Sequence, residues 1–160
     1  MSNFLTIFKK ELKSYFTSPI AFALLCVFLV ICGYFFYRSL VYFSFLSLQA
    51  GYDSSLQSTV NVNEIVLRPL FSNISFIMIF FIPLVTMRLF SEEKKLGTLE
   101  LLLSYPIRDV EIILGKFLAA FVVLATALAL TSFYPSILFF LGEPEKGPIF
   151  SAYLGLCLLG

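Results

Sequence analysis

The sequence has no histidine and no tryptophan. Without histidine there is no imidazole to act as a general acid or base, to complete a nucleophilic triad or to bind a metal. Charge is scarce as well, at 13% of the 160 residues, against about 25% in an average soluble domain. Lysine plus arginine is 11 and aspartate plus glutamate is 10, so the net charge is +1, with no basic excess to hold a nucleic acid. The three cysteines, Cys26, Cys32 and Cys157, each lie inside an apolar run and form neither a disulfide framework nor a metal spacing. What is abundant is apolar surface: 59% hydrophobic residues, 20 Phe, 8 Tyr and a mean hydropathy of +0.95. A chain of this length cannot bury so much in a water-soluble core, so composition alone indicates an integral membrane protein.

Uncharged stretches run over Ser14–Tyr37, Pro69–Met87, Phe117–Gly142 and Gly147–Gly160. A helix needs about 20 residues to cross a hydrocarbon core of about 30 Å. In lipid, helix is the open-chain structure that satisfies its own backbone. The first three stretches are long enough to span, and the fourth is not. The expected fold is an all-α integral membrane protein with an N-terminal interfacial helix, three complete transmembrane helices and the start of a fourth. The chain is expected to be a fragment of a longer one. It reads as a single domain over residues 1–160. An amphipathic helix occupies 1–17, span 1 18–42, an outer loop 43–68 and span 2 69–90. A cytoplasmic loop follows at 91–108, then span 3 at 109–140 and the truncated fourth at 148–160.

In the amphipathic segment Phe4, Leu5, Phe8, Leu12, Tyr15 and Phe16 recur at helical spacing, with Lys9, Lys10, Lys13 and Ser14 opposite. Ser2 or Asn3 can cap it, and Pro19 follows its end. It is expected to lie in the interface with its lysines toward head groups; a helix packed on another protein is the other reading. With the amino terminus inside, Lys9, Lys10, Lys13, Arg88, Lys94, Lys95, Arg108 and Lys116 are cytoplasmic, and Arg38, Arg68 and Lys146 are outside. Eight against three obeys the positive-inside rule. Asn61 to Leu67 is expected to form a short surface helix before Pro69 opens span 2.

Most of the charge lies between spans 2 and 3. There Glu92, Glu93, Lys94, Lys95 and Gly97 precede a short helix capped by Thr98, with Leu99, Glu100, Leu101, Leu102 and Leu103, ended by Pro106. Two readings stand level: a solvated loop that enforces topology, with its leucines resting on lipid, or a rigid helix gripped by a cytosolic partner. Gly115-Lys116 is not a phosphate-binding loop, because Val110 and Phe117 stand where Gly and Ser or Thr are required. This chain is therefore not an ATPase, and no other constellation suits catalysis.

Ser72, Ser75, Pro83 and Thr86 fall on one stripe of span 2. They either line a translocation path or pack, their hydroxyls bonding their own helix. Pro83 leaves the carbonyl of Ile79 without a donor and is expected to kink the helix. Small residues four apart, Gly115 with Ala119 and Ala125 with Ala129, are expected to let helices approach closely. No charge lies mid-membrane, which counts against a proton-driven transporter.

The runs Arg88 to Glu93 and Gly97 to Ser104, then Pro106 and Glu111 to Lys116, resemble the membrane subunits of type-2 ABC transporters. The amphipathic start, Phe4 to Phe16, is similar to that family's elbow helix. Asn63 to Asn73, with Leu67-Arg68-Pro69-Leu70-Phe71, looks most like the gliding-motility permeases; those linked to copper-enzyme maturation are near neighbours. The resemblance implies six spans per subunit in a bacterial inner membrane and a second permease, identical or different. It also implies cytosolic ABC ATPases that hold ATP and Mg, while this chain binds no cofactor. It makes Glu92 to Leu101 a coupling helix seated in the ATPase, which favours the partner-contact reading. The function so implied is the permease subunit of an ATP-driven exporter. A non-transporting scaffold for a motility or envelope machine is the alternative.

Overall fold

The computed structural model describes residues 3–52, 61–96, 109–141 and 146–160. Among the described residues every element is helical. They are α1 (Asn3–Thr17), α2 (Pro19–Tyr52), a π-helical turn (Asn63–Leu67), α3 (Arg68–Leu96), α4 (Asp109–Thr131), α5 (Phe133–Leu141) and α6 (Lys146–Leu159). Three stretches are long and apolar enough to cross a membrane: Pro19–Tyr52, Asn63–Met87 and Ile112–Phe139. The all-α, three-span expectation therefore holds. In the most apolar windows of the first two stretches only 28% is buried, and in the third 44%, so most of their surface is left for lipid or for other protein.

The core forms where one face of each span meets the others. Ala21, Leu25, Phe28, Cys32 and Phe36 of α2 face Leu70, Ile74, Met78, Phe81 and Val85 of α3, and Ala120, Val123, Leu124, Ala127 and Leu128 of α4 complete the cluster. The spacing of three and four keeps each set on one stripe. Phe28 and Phe81 meet with ring centroids 4.6 Å apart. α6 runs alongside α3: Pro148 lies near Arg68, the Phe71 and Tyr153 rings meet with centroids 5.2 Å apart, and a Cβ at Gly160 would stand 3.4 Å from the Met78 side chain.

Three boundaries differ from the sequence reading. α2 is helical through Tyr52, ten residues into the segment taken as outer loop. Nothing between Ile20 and Ala50 breaks it, since no proline occurs there, and Ser39, Ser44 and Ser47 turn their hydroxyls back onto the carbonyls of Phe35, Val41 and Phe43. Its length of about 50 Å exceeds the hydrocarbon core, so it tilts or projects beyond it. The turn before α3 is not a surface helix: Val66 and Leu67 are buried, and the turn continues directly into α3. The third span is not one helix but two, jointed at Ser132. Pro135 has no N–H to give the carbonyl of Thr131, and its ring crowds that carbonyl. The Ser132 N–H turns instead to Ala129, three residues back, at 3.2 Å.

Below that joint Tyr134 crosses to α2, where its hydroxyl donates to the Leu29 carbonyl at 2.8 Å. Gly33 makes this possible, because a Cβ there would stand 3.2 Å from the Tyr134 hydroxyl. Gly33→Leu is expected to displace Tyr134 and cost about 1–3 kcal/mol. A thermal-unfolding series in detergent should rank wild type above Gly33→Leu, and Tyr134→Phe should remove much of that difference.

Candidate functional site

The candidate site is the end of the bundle where α1 meets the facing ends of α3 and α4, the two helices that flank residues 97–108. α1 is amphipathic, and its apolar stripe is only partly covered by protein: Tyr15 is buried, while Leu5 and Phe16 are exposed. Ile7, Phe8, Glu11 and Tyr15 turn toward α3 and α4, while Lys9, Lys10 and Lys13 are exposed. The helix packs one side on its own chain and leaves its lysines, Leu5 and Phe16 exposed, an arrangement compatible with the interfacial expectation.

Three contacts seat it. The first is steric: at Gly115 a Cβ would come within 3.1 Å of the Ile7 side chain and 3.6 Å of the Phe8 backbone nitrogen. One turn on, Ala119 is fully buried, so the Gly115–Ala119 pair does mark a close approach. The second is ionic: Lys116 Nζ lies 3.2 Å from Glu11 Oε1, with side chains only 8% and 13% exposed. The third ties α1 to the other helix, as the Tyr15 hydroxyl donates to the Val85 carbonyl at 3.0 Å. One short helix thus holds α3 at Val85 and α4 at Gly115 and Lys116, on either side of the charged block.

Of the block itself, Glu92, Glu93, Lys94 and Lys95 continue α3, which is helical to Leu96; the structure describes their backbone alone. Gly97, Thr98, Leu99, Glu100 and Leu101 lie outside the described residues. The span 2 stripe is also located. Ser72 and Pro83 are exposed, and Ser75 and Thr86 are half-buried, on the side of α3 away from Ile74 and Met78. Ser75 Oγ donates to the Phe71 carbonyl at 2.9 Å, and Thr86 Oγ1 lies 3.1 Å from the carbonyls of both Ile82 and Pro83. These two hydroxyls are engaged by their own helix. The second small pair, Ala125 with Ala129, marks no such approach, because Ala129 is exposed.

Glu11 was not singled out in the sequence, although a signal was there. It falls between Phe8 and Tyr15 on the apolar stripe of α1, and a carboxylate on an apolar face calls for a cation. Lys116 stands out in the sequence as a flanking charge and as part of the family motif, and neither points to Glu11. Among the described residues no group of three or more His, Cys, Asp or Glu is placed to hold a metal.

Three helices of membrane length define the class as a multi-pass membrane protein. The model of the ABC-2 family transporter proteins matches residues 5–158, and the chain belongs to that family. It is thus a permease component of an ABC transporter, in a family whose members work with ABC ATPases. No curated protein and no solved structure gives a significant match.

Breaking a buried ion pair on one side leaves a charge uncompensated, whereas removing both charges is far milder. Glu11→Ala and Lys116→Met are therefore expected to be non-additive by about 1 kcal/mol or more. The double variant should melt above Glu11→Ala alone, as read in a double-mutant thermal cycle.

Proposed function

We propose that this chain is the membrane subunit of an ATP-driven exporter, working with a separate cytosolic ABC ATPase that holds ATP and Mg. The carrying observation is that α1 bridges Val85 and Gly115–Lys116, the two helix ends that flank the charged block. A force on that block is delivered to α3 and α4 together, with α1 as the brace. In this proposal Glu92, Glu93, Lys94 and Lys95 orient the block on the ATPase. Thr98 to Leu101 form its contact, with Gly97 as the joint between that contact and α3. A second permease subunit, identical or different, completes the pore. The positive-inside count supports a cytoplasmic amino terminus in a bacterial inner membrane. The narrower likeness to gliding-motility permeases rests on Asn63 to Asn73 alone; the family match does not extend to it, and the exporter reading stands without it.

One observation favours the second reading, a scaffold with no moving path: the hydroxyls of Ser75 and Thr86 are spent on their own helix. Two sets of variants separate the readings. Gly97→Pro and Leu101→Asp are expected to insert normally yet lose about tenfold or more in substrate-stimulated ATP hydrolysis in proteoliposomes, about 1.4 kcal/mol of coupling. Unchanged stimulation in both sinks the coupling role. Bulky residues at Ser72, Ser75 and Thr86 should block an exporter and leave a scaffold intact.

A further inference from the structure

At the end of the bundle opposite α1, the π-helical turn and the first turns of α3 and α6 line a half-open cavity of about 310 Å³. Asn61, Asn63, Glu64, Arg68, Phe71 and Pro148 line it. A single water takes up about 30 Å³ of liquid, so the space suits something larger. The apolar stretch that includes α3 begins at Asn63, which sets the cavity at the boundary between hydrocarbon and head groups.

Its polar groups are unevenly matched. The Asn63 Oδ1 atom is buried and has no hydrogen-bond partner. A native protein seldom leaves such an acceptor empty. The neighbouring Asn61 Oδ1 is already taken by the Asn63 N–H at 3.0 Å. Glu64 and Arg68 pair at 2.8 Å, with side chains 62% and 78% exposed, so a carboxylate and a guanidinium both remain open to a ligand. Phe71 and Pro148 give the cavity an apolar side. The π-helical turn widens the backbone here and so re-aims these side chains, a device common at functional sites.

We infer that this cavity binds a primary ammonium joined to an anionic group. The ammonium donates to Asn63 Oδ1 and to the Glu64 carboxylate, and the anion meets the Arg68 guanidinium. The two charges of the ligand fit the two of the protein, one helical turn apart. An ethanolamine-phosphate lipid head group carries this chemistry, and so does a free aminophosphate. A quaternary ammonium does not, because it has no N–H for Asn63. The inference concerns binding alone and is independent of whether the protein exports anything.

The complete membrane protein in nanodiscs of equal phosphatidylethanolamine and phosphatidylcholine provides the test, with retained lipids counted by native mass spectrometry. The ethanolamine lipid is expected to be retained about tenfold over the choline lipid, the worth of one charge-assisted hydrogen bond. Asn63→Leu should bring that ratio close to one. Asn63→Asp, which keeps the acceptor, should preserve or raise it, and it serves if the leucine variant does not fold. Added phosphoethanolamine distinguishes the sources: displacement of the lipid points to a soluble ligand, and its failure to compete points to the lipid. Equal retention of both lipids with no binding of phosphoethanolamine would overturn the inference and leave water as the occupant. An unchanged ratio in Asn63→Leu, or a lost one in Asn63→Asp, would overturn it too.

Discussion

Burying a charge is costly unless an opposite charge meets it, and the buried Lys116 is met by Glu11 from the amino-terminal helix at 3.2 Å. Much else depends on that pairing. It fixes where α1 sits, and α1 can come close enough for the ion pair only because Gly115 has no side chain to hold Ile7 away. Once α1 is there, Tyr15 reaches Val85, and α3 and α4 are joined beside the segment that connects them. In lipid there is little hydrophobic drive between helices, so such close contacts and internal polar bonds supply what burial supplies in water.

The rest of the bundle follows the same economy. Tyr134 reaches the Leu29 carbonyl over Gly33. Thr131 answers the break at Pro135 by bonding the Leu128 carbonyl, and Tyr153 of α6 comes to 3.4 Å from its hydroxyl. The break in the third span is thus covered by side chains from inside the fold, as a medium without water favours. The exposed Phe76, Phe80 and Val30 are what such a fold presents to lipid.

The spans were legible because an apolar run of membrane length between charges has few other meanings. The family was legible in the charged block, where motif order survives even though residues 97–108 lie outside the described structure. Other features need the third dimension. Glu11 shows itself as a carboxylate on the wrong face, but its partner lies 105 positions away, and no local rule pairs them. The joint at Ser132 was written in Pro135 and was passed over for the length of the apolar run. Gly115 and Ala129 both look like packing positions, and only the arrangement of neighbours tells that one is covered and the other bare. The cavity at Asn63 joins three elements and has no signature in any one of them.

The seat of α1 on α4 is open to a direct geometric measurement. A Cβ at position 115 would lie 3.5 Å from the Ile7 Cβ, which falls within the range for a disulfide. In a chain whose native cysteines are replaced by alanine, Ile7→Cys with Gly115→Cys should form an intramolecular disulfide in native membranes under mild oxidation. After cleavage at a protease site placed within residues 53–60, the two pieces should stay together on a non-reducing gel and separate on reduction. If the pieces separate without reductant, while a control pair between α2 and α3 holds them together, α1 does not rest on α4 and the bridge between the two helix ends is wrong.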